Sequence, residues 1–461
     1  MAEELWRNSA TQLAKLIREK QTTSRQVVES FLGRIEAVNT KVNAITVVLA
    51  DSALEAADKA DREEATTPLH GVPFTVKENI DCMGSATTNG VPAFADAMPT
   101  QDAPVVARMK AAGAIPLART NLPELGLRIS TDNPLRGRTL NPWTIDRTCG
   151  GSSGGEGSAI ATGMSTIGLG NDIGGSLRNP AYCCGITSLK PTTGRIPHAT
   201  TIPPIELGIA AQIMLTEGPL ARNVEDIKLA YSILAGRDPR DPNSVDVPLW
   251  GNAVTHKRVA LITEVPNVDM PTSHIKAIKE AGKALADAGW QVEEAQAPEL
   301  ARVSELWGYL LASDLQPNID MLAMIISEKP TDMLRQLIEE YHPSKMPITV
   351  LHAERWRLSC LWSEFFAKYP MVIGPTWTNS PFEHDADLAA DGSKVTTNTL
   401  GFITPGNFLG LPSTCLPTGI ADGLPTGVQI YADKWREDIC LEGAAIVEKA
   451  LGRITPIDPT F

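Results

Sequence analysis

Hydrophobic residues recur at helical spacing near the start of the chain. A threonine at 23 and a glutamine at 26 form a capping box directly before this pattern, and such a box marks the beginning of many helices. We therefore expect an amphipathic helix that begins after Thr23. Its apolar face carries Val27, Val28, Phe31, Leu32 and Ile35.

A strand, a helix and a second strand are predicted next along the chain. The apolar segment 71–76 predicts a short buried strand with Lys77 at its end. Asp102 is expected to cap a helix that has a proline in its first turn and runs to Gly113. A strand at 115–117 follows. Strands and helices at these distances favour a layered α/β fold.

The second half of the chain continues the alternation. Between about 300 and 370 the pattern is helical, with Leu358, Leu361, Trp362 and Phe365 on one face. A strand at 428–431 precedes a helix that runs to about Leu451. We find no internal repeat and no long Pro/Gly/Ser or charged tract that would separate independent domains.

Composition and charge narrow the class of protein. The chain has 461 residues, is 43% hydrophobic and carries a formal charge of −13, without a basic block that would bind nucleic acid through its phosphates. No 18-residue apolar stretch is present, and 1–4 lacks the basic start of an export signal. Seven scattered cysteines without a C-x-x-C pair favour neither a disulfide framework nor a zinc site. These features predict a soluble cytoplasmic protein that contacts neither nucleic acid nor membrane.

The segment 150–179 carries the chemistry. It contains two serine-bearing glycine turns separated by small apolar residues, which a polar linker would not have. Glycine lets backbone N–H groups approach a reacting atom closely. The second turn, 172–176, can therefore present a serine hydroxyl beside converging N–H donors, as acyl transfer requires.

Other glycine-loop chemistries fit less well. The run at 150–155 satisfies G-x-S-x-G, but a nucleophile elbow needs a buried strand immediately before its serine, and 141–149 has the composition of a turn-rich loop. None of the seven histidines has the context of a triad member. No G-K-[ST] phosphate loop or complete dinucleotide fingerprint is present. Ser273 and Lys276 form an S-x-x-K pair without the motifs that accompany it in penicillin-binding enzymes.

The chain resembles the amidase signature family of serine hydrolases, and the similarity extends over most of its length. The matching segments are Asn141-Pro142, Arg147, 150–155, 168–178, 185–192, 71–73, 76–77, 218–222 with 225–226, and 427–429. The resemblance implies a single domain over 1–461 with a large mixed central β-sheet covered by helices on both faces. Within it we expect an N-terminal helical segment at about 1–60, a signature core at about 65–240 and a Trp-rich helical pocket region at about 300–400.

The resemblance also implies a Ser-cisSer-Lys triad. It assigns Ser176 as the nucleophile, Ser152 on a cis peptide bond as the relay, and Lys77 as the base. The N–H groups of Ile173, Gly174, Gly175 and Ser176 would form the oxyanion hole. For Lys77 to act near neutral pH, its pKa must fall from about 10.4 to about 7, a change worth roughly 4.6 kcal/mol, which burial can supply.

Further residues are assigned around these. Asp172 and Arg178 flank the nucleophile at offsets that allow an ion pair to support the loop. Aromatic residues of the Trp-rich region would shape the substrate pocket, namely Trp307, Tyr309, Trp377 and Phe382.

The predicted function is hydrolysis of a C–N acyl bond through an acyl-enzyme on Ser176, with release of an amine or ammonia. The substrates would be small amides, with anilides, carbamates (urethanes) and esters passing through the same geometry. No metal or organic cofactor is expected, and the protein would be a monomer or homodimer. The alternative is the glutamine-hydrolysing A chain of an aminoacyl-tRNA amidotransferase, which would need a polar pocket and further protein partners.

Overall fold

A computed structural model describes residues 4–461. Residues 1–3, which belong to the segment 1–4 that lacks the basic start of an export signal, lie outside the described residues. Its strands are β1 (Ile45–Val48), β2 (Pro73–Lys77), β3 (Ile115–Thr120), β4 (Leu140–Asn141), β5 (Thr144–Thr148), β6 (Ile167–Asp172), β7 (Thr187–Lys190), β8 (Thr216–Ala221), β9 (Arg258–Leu261), β10 (Gln291–Glu294), β11 (Met371–Pro375), β12 (Ser413–Ala421) and β13 (Leu424–Tyr431).

The helices alternate with these strands along the chain. They are α1 (Ala10–Arg18), α2 (Ser24–Val42), α3 (Ala50–Ala60), α4 (Pro104–Ala111), α5 (Gly154–Ala161), α6 (Arg178–Cys184), α7 (Ile209–Met214), α8 (Val224–Leu234), α9 (Thr272–Asp287), α10 (Leu300–Leu315), α11 (Ile319–Ala323), α12 (Glu328–Glu340), α13 (Ile348–Lys368), α14 (Gly392–Thr399), α15 (Thr404–Phe408) and α16 (Glu437–Leu451).

Over residues 4–461, eleven strands form one mixed sheet in the order β1-β3-β2-β6-β8-β7-β12-β13-β11-β9-β10. The pairs β3–β2, β2–β6, β11–β9 and β9–β10 are parallel, and the remaining neighbours are antiparallel. Successive side chains of a strand point to opposite faces. Since every residue of β2, β6, β7, β8 and β11 is buried, helices cover both faces of the sheet, and the predicted fold class is confirmed.

Several predicted elements are present with the expected bounds. Helix α2 begins after Thr23, whose side chain accepts from the Gln26 N–H while the Gln26 side chain accepts from the Thr23 N–H. Strand β2 ends at Lys77, and α16 ends at Leu451. In α13, Leu358 and Trp362 are buried as predicted, whereas Leu361 and Phe365 are only partly buried.

Two local predictions are wrong. The residue at the N-cap of α4 is Ala103, and Asp102 instead accepts from the Met83 N–H and pairs with Lys110. The predicted loop at 141–149 contains β4 and β5, which form a separate two-stranded sheet. This ribbon lies outside the central sheet, so the first glycine turn still lacks the central strand that a nucleophile elbow requires.

The cysteines are all free, and only Cys360 is exposed. Burial raises the pKa of the Cys183 and Cys184 thiols well above their usual range, so this adjacent pair is protected rather than reactive. In the described part of the chain, the helices are too short or too polar to cross a membrane.

Candidate active site

The two glycine turns predicted to carry the chemistry lie against each other. Ser176 lies between β6 and α6, and Ser152 lies between β5 and α5. The Ser153 N–H donates to the Ser176 carbonyl at 3.3 Å. The Asn179 side chain donates to the carbonyls of Gly151 at 3.0 Å and Gly174 at 3.2 Å. Asn179 therefore holds both turns in a fixed relation.

Lys77 reaches the first turn from the end of β2. Its Nζ donates to Ser152 Oγ at 2.6 Å and to Asn171 Oδ1 at 2.8 Å. The peptide bond between Gly151 and Ser152 is cis. Within residues 4–461 no hydrogen bond joins the Ser152 and Ser176 hydroxyls. The direct contact among the three side chains is therefore the hydrogen bond between Lys77 and Ser152. Both of these side chains are buried.

Burial is the main influence on the ionisation of Lys77. It lowers the pKa of Lys77 to about 7, against the opposing effect of the Glu217, Asp172 and Glu156 carboxylates. The same enclosure raises the pKa of Glu156 to about 8, although the Thr120 hydroxyl donates to it at 2.9 Å. A lysine of this pKa is neutral in a large fraction of molecules near neutral pH, which a solvated lysine is not.

The loop before Ser176 presents backbone N–H groups. Those of Ile173, Gly174 and Ser176 form no hydrogen bond within the described residues, whereas the Gly175 N–H donates to Asp172 Oδ1 at 2.7 Å. Gly175 has a φ of +95°, a conformation that glycine adopts without steric cost. Three of the four amides assigned to an oxyanion hole are therefore free to bind, and the fourth helps to fix the loop.

Asp172 and Arg178 form the ion pair that their spacing predicts. Arg178 Nε and Nη2 each lie 3.1 Å from a carboxylate oxygen of Asp172, and both side chains are fully buried. Burial opposes ionisation of Asp172, but the Arg178 guanidinium outweighs it and holds the pKa of that carboxyl well below its usual range. The Asp172 carboxylate also accepts from the N–H groups of Gly175 and Leu177 on either side of Ser176.

A largely apolar cavity opens onto Ser176. Its walls come mainly from α10, α12, α14 and the segment 126–129. The apolar lining includes Leu127, Ile129, Trp307, Leu311, Met333, Leu334, Leu337 and Leu400. Arg128 and Asp387 are the charged residues of this wall, and they form a bidentate pair with both distances at 2.9 Å.

Of the four aromatic residues predicted for the pocket, only Trp307 lines this cavity. Its Nε1 donates to the Ile173 carbonyl at 3.1 Å, next to the loop that carries Ser176. Tyr309 lies behind the wall, in edge contact with the lining residue Tyr341. Trp377 and Phe382 are corrected to core residues: they are buried and stack on each other with ring centroids 5.4 Å apart.

Sequence reasoning did not assign Asn171, Asn179 or Arg128. The two asparagines lie within the glycine-rich segment, and their polar side chains between apolar neighbours could have marked them as partners of the loop. Arg128 lies in a segment with no recognisable motif. Its pairing with Asp387, more than 250 positions away, leaves no local signal.

Comparisons with known proteins identify relatives of this chain. A model of the Amidase family matches residues 26–441. An indoleacetamide hydrolase from Bradyrhizobium diazoefficiens is 38% identical over 97% of this chain and 87% of its own length. The A chain of a glutamyl-tRNA(Gln) amidotransferase from Moorella thermoacetica is 30% identical over 97% of both chains. The solved structure of a 6-aminohexanoate cyclic dimer hydrolase complexed with substrate superimposes with a TM-score of 0.84, at 27% identity and 99% coverage of both chains.

The match over most of the chain establishes the class: this protein belongs to the amidase signature family. It is therefore an amidohydrolase, as the resemblance implied.

Proposed function

We propose that this enzyme hydrolyses neutral amides with an apolar acyl group, through an acyl-enzyme on Ser176. The observation that carries the proposal is the buried Lys77 amine, which lies 2.6 Å from Ser152 Oγ and has a pKa lowered to about 7. A neutral amine in contact with a hydroxyl can take a proton through it. Ser152 lies on the turn tied to that of Ser176, and this supports its role as the relay.

The proposed reaction has two halves. Ser176 Oγ attacks the amide carbon, and its proton passes through the Ser152 hydroxyl to Lys77 Nζ. The same proton returns through Ser152 to the leaving nitrogen as the C–N bond breaks, which releases ammonia or an amine and leaves an ester on Ser176. A water molecule then attacks the ester, with its proton carried along the same path, and the acid product leaves.

The free amides of Ile173, Gly174 and Ser176 are proposed to bind the oxygen that becomes negative in each half. Such donors act most strongly when they are fixed before the reaction, and loss of one donor typically costs about 2.7 to 4 kcal/mol of transition-state stabilisation. The Asp172–Arg178 pair supports this role because it holds the loop on both sides of Ser176.

The cavity supports the choice of acyl group. Its walls are mostly leucine, isoleucine, methionine and tryptophan side chains, which gain from contact with an aryl or alkyl group. Indoleacetamide, the substrate in the name of the relative at 38% identity, has such an apolar aryl group. Anilides, carbamates and esters with similar acyl groups are expected to react as well, because their carbonyl would occupy the same position.

Glutamine hydrolysis is the second candidate, since one chain of an amidotransferase is 30% identical to this protein. Glutamine carries a carboxylate and an ammonium group that need charged partners in a buried site. On the described cavity wall, the Arg128 guanidinium is already paired with Asp387. This favours neutral substrates over glutamine.

The test is a set of rate measurements on the isolated chain. Phenylacetamide, indoleacetamide, hexanamide, an anilide, a carbamate and glutamine would each be assayed with wild type, Ser176→Ala and Ser188→Ala. Ser188→Ala is the matched control, because it removes a buried hydroxyl of β7 that has no partner among the described residues. We expect the neutral apolar amides to be hydrolysed and Ser176→Ala to be inactive. Preferred turnover of glutamine, or full activity of Ser176→Ala, would contradict the proposal.

A further inference from the structure

The buried carboxylate of Glu217 lies next to Asn171, which is the second hydrogen-bond partner of Lys77. Glu217 of β8 is paired in register with Asn171 of β6. Asn171 Oδ1 accepts from Lys77 Nζ at 2.8 Å. Directly opposed residues of antiparallel strands have Cβ atoms about 4.5 to 5.5 Å apart and point to the same face of the sheet. Glu217 therefore lies one side chain away from the Lys77 amine.

Only one oxygen of this carboxylate has a partner in the described part of the chain. His198 Nδ1 donates to Glu217 Oε1 at 2.6 Å. Glu217 Oε2 is buried and has no hydrogen-bond partner within residues 4–461. A carboxylate so poorly compensated acts strongly on charges around it, because little water screens it.

His198 connects this carboxylate to the outside of the protein. Its side chain is 18% exposed and lines a second cavity together with Thr200, Arg240 and Asp241. Its backbone N–H donates to Asp241 Oδ2 at 3.0 Å. Burial alone would lower the pKa of His198, but the bond to Glu217 outweighs burial and raises it, with Asp241 and Asp81 acting in the same direction.

We propose that Glu217 and His198 are positioning residues that together set the protonation equilibrium of Lys77. Protonated His198 neutralises most of the Glu217 charge, and Lys77 is then free to lose its proton. Loss of the His198 proton leaves a bare carboxylate that favours the charged form of Lys77. The inference rests on the proposed role of Lys77 as the base.

The other carboxylates near Lys77 have different partners from Glu217. Asp172 is held in its pair with Arg178, and Glu156 is enclosed by α5, β2 and β3, with hydroxyl donors rather than a titrating partner. Of the three carboxylates that oppose the effect of burial on the pKa of Lys77, Glu217 has the largest effect. Glu156, with a pKa of about 8, also changes charge near neutral pH, but it is fully enclosed, whereas the charge of the Glu217–His198 pair changes at an imidazole that is partly exposed.

The test compares the pH dependence of kcat/KM for wild type, Glu217→Gln and His198→Gln. Removal of the carboxylate is expected to move the acid limb of the profile to lower pH by about one unit, because a nearby negative charge no longer stabilises protonated Lys77. Removal of the histidine is expected to move it to higher pH by about one unit, because the carboxylate is left uncompensated. The double variant should follow Glu217→Gln.

Opposite shifts separate this proposal from structural damage. Asp226→Asn is the matched control: it removes a buried carboxylate that accepts from the Ala10 and Thr11 N–H groups of α1, and it should lower stability without moving the limb. Shifts in the same direction, or an unmoved limb in His198→Gln, would overturn the inference. If Glu217→Gln does not fold, the partly exposed His198 decides the matter alone. If the acid limb of His198→Gln coincides with that of wild type while Ser176→Ala is inactive, the inference fails and the proposed function stands.

Discussion

Lys77 is a charged residue type at the end of a fully buried strand, and its proposed chemistry depends on that enclosure. The same side chain on a solvated strand end would keep its proton at neutral pH. Inside the sheet, removal from water lowers the pKa of Lys77 to about 7. Burial of this amine therefore lowers the stability of the fold while it produces a base.

This opposition gives a prediction for Lys77→Met. Between the folded pKa of about 7 and the unfolded value of about 10.4, the unfolded wild type holds more protons, so its stability rises with pH. The stability advantage of Lys77→Met should be largest at or below pH 7 and shrink by about 1.4 kcal/mol per pH unit towards pH 10. Urea unfolding at pH 6, 7, 8 and 9 measures this difference. Parallel curves for the two proteins would show that Lys77 is not shifted.

A second prediction concerns the buried ion pair beside Ser176. Asp172→Asn leaves the Arg178 guanidinium without its charge partner, and breaking a buried pair in this way typically costs about 3 to 5 kcal/mol of unfolding free energy. The control is Asp287→Asn, which breaks an exposed pair with Lys283 and should change stability by less than about 0.5 kcal/mol. Equal effects of the two changes in urea unfolding would contradict the assigned support of the loop.

At the scale of elements, helices and strands that have a clear local sequence signal were mostly predicted at the correct positions. The capping box at Thr23 and the apolar run before Lys77 gave α2 and β2 their correct positions, because both signals depend on neighbours in sequence. Asp102 is of a residue type that is common at an N-cap, but its carboxylate instead accepts from the Met83 N–H and pairs with Lys110. Tertiary contacts of this kind override local preference, and a sequence pattern does not contain them.

Helix α2 offers a test at this scale. Gly33 is an exposed position inside it, and a Cβ added there meets no atom within 4 Å. Gly33→Ala should therefore stabilise the protein by about 0.5 to 1 kcal/mol, seen as a higher Tm. Gly71→Ala is the contrasting variant, because Gly71 has a φ of +72° and its added Cβ would clash with Ser24 Oγ. A loss of stability in Gly33→Ala would contradict the helical assignment.

At the scale of the whole molecule, the central sheet joins the first and last thirds of the chain. Strands β7 and β12 are neighbours although more than 200 residues separate them, and the strand order could not be derived from spacing alone. The resemblance supplied the architecture, whereas the wall of the cavity was predicted only at Trp307. Pocket residues depend on long-range packing, which explains why Trp377 and Phe382 were misplaced. We propose that the chain is a single domain, since one sheet connects it.

The packing of this sheet predicts how the thiols react. Six of the seven cysteines are buried and only Cys360 is exposed. With a disulfide reagent such as DTNB, the native protein should therefore show one reactive thiol per chain, and the denatured protein seven. Cys360→Ser should abolish the native signal. Rapid native reaction of further thiols, Cys183 and Cys184 included, would contradict the described core.

In the proposed mechanism, an ester forms on Ser176 while Lys77 accepts the proton through Ser152. Its most direct test is intact-mass spectrometry, followed by peptide mapping, of enzyme mixed with a slowly hydrolysed aryl carbamate. A single carbamoyl adduct is expected on Ser176, absent in Ser176→Ala and formed far more slowly in Lys77→Met. An adduct on another residue, or steady turnover of amides in Ser176→Ala, would contradict the proposed mechanism.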